Sequence, residues 1–274
     1  MIAFLLLYMQ ASAQSQTFEV NGLRDTEPDY PRFTFAYKGH DWGGICSYGR
    51  SQSPIDIVTA STQVQVVSQA NSSFTPLSVS LQTVNRSELY VQSVQGLLAY
   101  FTGANTVTQY LYSKAVTMSV MEYHPIVPAE HLLNGIRYPL GLVIITGIAH
   151  FDDSIQAFQC FEILFKEGKP SPFLQSLIDE DGEVSIASII PLNGVIDDYY
   201  YYSGSVDLPW PDCWEPVTWY IPNYVVEASA AQIDYWTQRY IQDLSFSNGR
   251  GSARDVQPLN NRTVYHFIPA SYSV

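Results

Sequence analysis

Glu122-Tyr123-His124-Pro125-Ile126-Val127-Pro128-Ala129-Glu130-His131, followed after a short turn by Tyr138-Pro139-Leu140-Gly141-Leu142-Val143-Ile144-Ile145, is the stretch on which the reading of this chain turns. Leu140 to Ile148 is almost continuously apolar, as expected of a central strand covered on both faces. The run Val116 to His124 that precedes it is rich in strand formers. In a strand, positions i and i+2 point the same way, so Glu122 and His124 project from one face. A carboxylate and an imidazole can bind a metal in principle. A catalytic zinc site, however, needs three protein ligands and an open position for water.

Working outward, short runs of β-formers recur at Leu77 to Leu81, Leu89 to Val94, Leu97 to Thr102, Val107 to Tyr112, Ile155 to Phe165 and Val217 to Ile221. Gly, Pro, Asn and Ser clusters separate them. Helices are few. One is expected over Phe173 to Ile178, after Pro170 and Pro172. A second is expected over Ser229 to Leu244, opened by the capping-box pattern Ser229-Ala230-Ala231-Gln232. Ile233, Trp236, Tyr240 and Leu244 then fall on one face at helical spacing and read as core. Cys160 lies inside the apolar strand Ala157 to Ile163, where a buried free thiol behaves as a small hydrophobe. No internal repeat and no Pro/Gly/Ser-rich linker interrupts the 274 residues, and 46% apolar and 14% aromatic content suffices for one sizeable core.

The net charge is −13 with only 13 basic residues, and no Lys/Arg cluster is present. Nucleic acid and anionic membrane surfaces are therefore excluded as expected partners, because binding them requires phosphate neutralisation. Residues 1–13 combine the apolar run Ile2 to Met9 with Ala11-Ser12-Ala13, and read as a secretory signal cleaved before Gln14. The segment is too short to span a bilayer, which takes about 20 apolar residues. Residues 14–32 read as an N-terminal extension and 33–274 as the folded domain. Asn71, Asn85 and Asn261 stand in N-x-S/T sequons, candidate glycosylation sites in a secreted chain. There is no Gly-x-Ser-x-Gly elbow, no phosphate-cradling glycine loop and no Cys-x-x-Cys pair.

Four ordered blocks carry a family resemblance. Trp42 and Cys46 precede Gln52-Ser53-Pro54-Ile55-Asp56-Ile57. The Glu122 to Ile145 stretch comes next. Tyr200-x-Tyr202-x-Gly204-Ser205 then leads to Pro209, Cys213, Glu215, Val217 and Trp219. Asn248, Arg254, Gln257-Pro258-Leu259 and Asn261-Arg262 close the pattern. In order and spacing these resemble the α-class carbonic anhydrases. The resemblance implies a mainly β (α+β) single domain: a large, twisted, mostly antiparallel central sheet with a few peripheral helices. It also implies a disulfide between Cys46 and Cys213, stabilising the fold by ~2–5 kcal/mol.

That family holds zinc on two histidines one residue apart on a strand and a third on the neighbouring strand. The corresponding positions here are Glu122, His124 and Val143. Valine has no lone pair, so hydroxide generation is unsupported. The surroundings differ as well. The threonine that orients the zinc-bound hydroxide corresponds to Asp207, followed by Leu208. Its carboxylate partner survives as Glu130, so two carboxylates are expected to face each other, one with a raised pKa or with a cation between them. The carboxylate that orients the third histidine corresponds to Gly141, and the proton-shuttle histidine falls near Leu97. The expectation is a secreted protein without zinc or other cofactor and without catalysis, acting as a binding, structural or assembly component. Its partner would be another protein or a second copy, with Tyr199 to Tyr202 and Trp210 to Trp219 as candidate contact surfaces. The alternative is a metal-dependent lyase or esterase whose rebuilt site holds calcium or manganese on Glu122, His124, Glu130 and Asp207.

Overall fold

The nearly continuous apolar run that begins at Leu140 becomes the middle of the sheet. In the computed structural model Leu140–Gly147 is a strand buried at all eight positions. The structure describes residues 34–67, 77–80, 84–85, 90–94, 97–101, 106–111, 114–147, 158–179, 182–184, 186–190, 194–207, 213–242 and 244–269. The expected signal segment 1–13 and extension 14–32, and with them Asn71, Leu208 and Trp210, lie outside these residues.

Ten strands form the main path of one large sheet: β1 (Gln63–Val67), β2 (Leu77–Ser80), β3 (Thr106–Leu111), β4 (Lys114–Ile126), β5 (Leu140–Gly147), β6 (Phe158–Glu167), β7 (Val195–Ile196), β8 (Tyr199–Val206), β9 (Trp214–Pro222) and β10 (Tyr265–Pro269). Their spatial order is β7-β2-β3-β4-β5-β6-β9-β8-β10-β1. Along this path only β6 with β9 and β10 with β1 pair parallel; the other neighbours are antiparallel. The molecule is thus a single sheet-dominated domain with few helices, in agreement with the expected class.

Both expected helices are present, and one glutamine joins them. Helix α1 (Pro172–Ile178) is capped by the Ser171 hydroxyl, which accepts from Leu174 N, and begins with Pro172, whose missing N–H costs nothing at that position. Helix α2 (Ala230–Ile241) has the capping box of Ser229 and Gln232. The Gln232 amide also accepts from Ser171 N at 2.9 Å and donates to Ser171 O at 2.9 Å. One apolar assignment fails. Trp236 and Tyr240 are buried, but Leu244 is 67% exposed. Helix α2 ends at Ile241, so the helical phase is lost, and the separate turn α3 (Leu244–Ser247) turns Phe246 inward instead.

Cys46 and Cys213 form the disulfide, with Cα atoms 5.0 Å apart across 167 residues of sequence. Cys160 is a buried free thiol. The aromatic run Tyr199 to Tyr202 is not a contact surface. All four tyrosines are buried, because Tyr199 stacks on Phe267, Tyr200 on His266 and Tyr201 on Tyr265, while Tyr202 is held inside by its hydroxyl. Trp219 is likewise buried, whereas Trp214 is 36% exposed.

The closing segment locks the first signature block. Arg254 donates to Gln52 Oε1, Ser53 O and Cys46 O at 2.8–2.9 Å, and its guanidinium lies 5.2 Å from the Trp42 ring centre. Arg262 donates to Gln52 O and Ser203 O. These bonds tie both ends of the described chain to the sheet.

Candidate functional site

Register places the site. Val143 on β5 lies opposite His124 on β4 and opposite Glu162 on β6; one row along, Ile145 lies opposite Glu122 and Cys160. Residues directly opposite one another across a sheet share a face, so Glu122, His124, Val143, Cys160 and Glu162 face the same way. The strands converge here because β4, β5 and β6 are the centre of the path, flanked on both sides.

The floor of this face is filled by a carboxylate–imidazole pair and an aliphatic side chain. The Glu122 carboxylate stands 2.7 Å from His124 Nε2, in a pair whose side chains are 12% and 0% exposed. Nε2 therefore carries the proton that Glu122 accepts. His124 Nδ1 is buried with no hydrogen-bond partner. Val143, fully buried, supplies only methyl groups. Among the described residues no three of His, Cys, Asp and Glu are grouped so as to hold a metal ion. Leu97 begins the strand Leu97–Phe101, whose Phe101 pairs with Glu122.

Gly141, where the resemblance implies a missing carboxylate, leaves room for one that the sequence reading did not single out. Its Cβ position, were there one, would collide with Glu162 Oε1. The Glu162 carboxylate rises from β6 into the space that a β5 side chain would fill. From there Glu162 accepts from the backbone N–H of Glu130 at 2.7 Å and of His131 at 3.0 Å, and from His131 Nδ1 at 2.6 Å. Its sequence signal was available, because Glu162 is the one charged residue in the mostly apolar run 157–163.

His131 passes the chain of hydrogen bonds on. With Nδ1–H donated to Glu162, its Nε2 accepts from the Tyr202 hydroxyl at 2.6 Å. Tyr202 Oη in turn accepts from Ser53 Oγ at 2.7 Å, and Ser53 Oγ accepts from Ser205 N at 3.0 Å. Every member is buried and each donor finds one acceptor, which rigidifies the centre. Burial holds the Tyr202 hydroxyl well above the usual phenol range, so it remains a donor.

Glu130 and Asp207 are a different matter. Both are buried, at 0% and 1% exposure, and none of their four carboxylate oxygens has a hydrogen-bond partner. Burial, followed by the charges of Asp207 and Glu162, pushes the Glu130 carboxyl well above its ordinary range. Burial raises Asp207 too, against the opposing charge of Arg254. The Cys160 thiol, close to Asp207, Glu130 and Glu122, is held well up by burial and by those charges, so it is not a nucleophile.

A central mixed sheet with its working face over β4, β5 and β6, a long-range disulfide and a buried Glu–His–Tyr chain define a carbonic-anhydrase-like class of protein. Comparison with known proteins agrees. Residues 38–268 match the family model of eukaryotic-type carbonic anhydrase. The chain belongs to that family. It is 28% identical over 280 residues to carbonic anhydrase Nec1 of Nesocodon mauritianus, covering 96% of this chain and 92% of that one. It is 24% identical over 267 residues to dioscorin DB3L of Dioscorea polystachya, covering 90% and 89%. A halotolerant carbonic anhydrase structure from Dunaliella salina superposes with a TM-score of 0.66 at 22% identity, covering 87% of this chain and 99% of that one. On the face shared by Glu122, His124 and Val143, the valine offers no lone pair and the Glu122 carboxylate stands on His124 Nε2.

Proposed function

We propose that this chain is a secreted, non-catalytic member of the carbonic anhydrase family that acts as a binding, structural or assembly component. The observation that carries this reading is the Glu122–His124 contact beside Val143, which leaves fewer than the three ligands a catalytic zinc requires. The disulfide supports export, since such bonds persist in oxidising compartments. The relatives it matches carry the name dioscorin as well as the name carbonic anhydrase. No described helix is long and apolar enough to cross a membrane.

The test is to purify the protein from culture medium without added metal, and to measure its metal content and its carbon dioxide hydration with and without supplied zinc. Metal-free protein with hydration at the buffer rate is expected. Stoichiometric zinc with sulfonamide-sensitive turnover would establish the metal-dependent lyase instead. Export is read by N-terminal sequencing of the secreted chain, which should begin at Gln14. Self-assembly or partner binding is read by size-exclusion chromatography and pull-down from the same medium.

A further inference from the structure

The two ends of the large sheet are not alike. At one end stands β7, only the two residues Val195–Ile196, too short an edge to template another strand. At the other end stands β1, Gln63–Val67, which has a strand neighbour on one side only among the described residues. Sheets guard an edge of that length with a charge, a proline or a bulge. β1 reads Gln-Val-Gln-Val-Val, and its register with β10 advances one residue at a time, so it has none of the three.

Hydrogen bonding tells which backbone groups face outward. Gln63 N donates to Val264 O, just before β10, at 2.9 Å. In a strand the N–H and C=O of one residue point to the same side, and those of the next residue to the other. With Gln63 opposite Tyr265, Gln65 opposite Phe267 and Val67 opposite Pro269, residues 63, 65 and 67 spend their groups on β10. Val64 and Val66 therefore present theirs outward, and Val64 is 56% exposed. Charge singles out the same place. From Ile57 through Asn85 the chain has no Asp, Glu, Lys or Arg, although its net charge is −13. Two copies repel over most of their surface and approach closely only where charge is absent.

We propose that β1 is a self-association edge, on which a second copy of this chain adds its own β1 antiparallel, across a two-fold axis at Gln65. In that register Val64 lies opposite Val66 of the second copy, and the pair exchanges both of its N–H to C=O bonds; symmetry repeats the exchange on the other side of the axis. The contact is isologous and closes at the dimer, because the far edge of each sheet is the short β7. The proposal rests on the assembly part of the proposed function and gives it a surface, independently of whether the centre binds zinc.

The experiment is analytical sedimentation of the purified full chain over a range of protein and salt concentrations, alongside Val64→Pro and Val66→Pro. Each proline removes one outward N–H and leaves the ladder to β10 intact. The expected result is a monomer–dimer equilibrium that tightens as salt screens the repulsion between copies. Either proline should weaken it by about tenfold or more, since symmetry doubles each lost bond. Residue-resolved hydrogen exchange on the wild-type protein answers the question even where a variant does not fold. The Val64 and Val66 amides should gain protection as concentration rises, and the Gln63 amide should not change. A monomer at every concentration would overturn the proposal, and a partner caught in the pull-down would then carry the binding reading alone. A dimer that both prolines leave unchanged, or whose Val64 and Val66 amides exchange at a constant rate, would overturn the edge and leave self-assembly standing. Association that weakens with added salt would overturn it too, since that marks an ion-paired interface.

Discussion

At the residue scale, several polar side chains at the centre of this protein are buried and hydrogen-bonded to one another. Glu162 is the clearest example. It serves three N–H donors in a region closed to water. Glu162→Ala would leave those donors buried and unpaired, and should cost about 3–5 kcal/mol in urea unfolding. Gly141→Glu alone should also be destabilising, because its side chain and the Glu162 carboxylate compete for one space. Combining Gly141→Glu with Glu162→Ala returns the carboxylate to β5, and a double-mutant cycle should show favourable coupling of about 1–3 kcal/mol. Strict additivity would show that the two positions do not share a job. Strand spacing alone puts Glu122 and His124 on one face, as the structure has them. Glu162 was not singled out, because register between β5 and β6 exists only once the chain has folded.

At the scale of elements, patterning located the strands and both principal helices, and it failed where phase is interrupted. The spacing of Ile233, Trp236, Tyr240 and Leu244 describes one continuous helical face, but the helix stops at Ile241 and Leu244 emerges into solvent. Trp236→Ala should therefore cost about 3–5 kcal/mol, as for a large core aromatic. Leu244→Ala should stay within about 0.5 kcal/mol of the parent. Equal losses would return Leu244 to the core. The tyrosines of β8 teach the complementary lesson. Four in a row suggest a sticky surface, yet both faces of β8 are covered: Tyr199 stacks on Phe267 and Tyr201 on Tyr265, while Tyr202 points into the buried centre. Whether a strand is covered on one face or two depends on its neighbours, which composition does not reveal.

For the whole molecule, the family pattern made the fold legible from end to end because its blocks are the contacts that close the domain. Trp42, Gln52, Cys46 and Arg254 meet one another although more than 200 residues separate the first from the last. Replacing Cys46 and Cys213 by Ala should lower stability by about 2–5 kcal/mol, and non-reducing against reducing melting curves would read it. What the molecule does with this frame turns on its ability to hold zinc. Isothermal titration of zinc into the folded protein and into a Glu122→His/Val143→His variant is the most direct measurement. No stoichiometric binding to the parent is predicted, with one zinc per chain gained by the variant. Tight one-to-one binding of zinc by the parent protein would contradict the account.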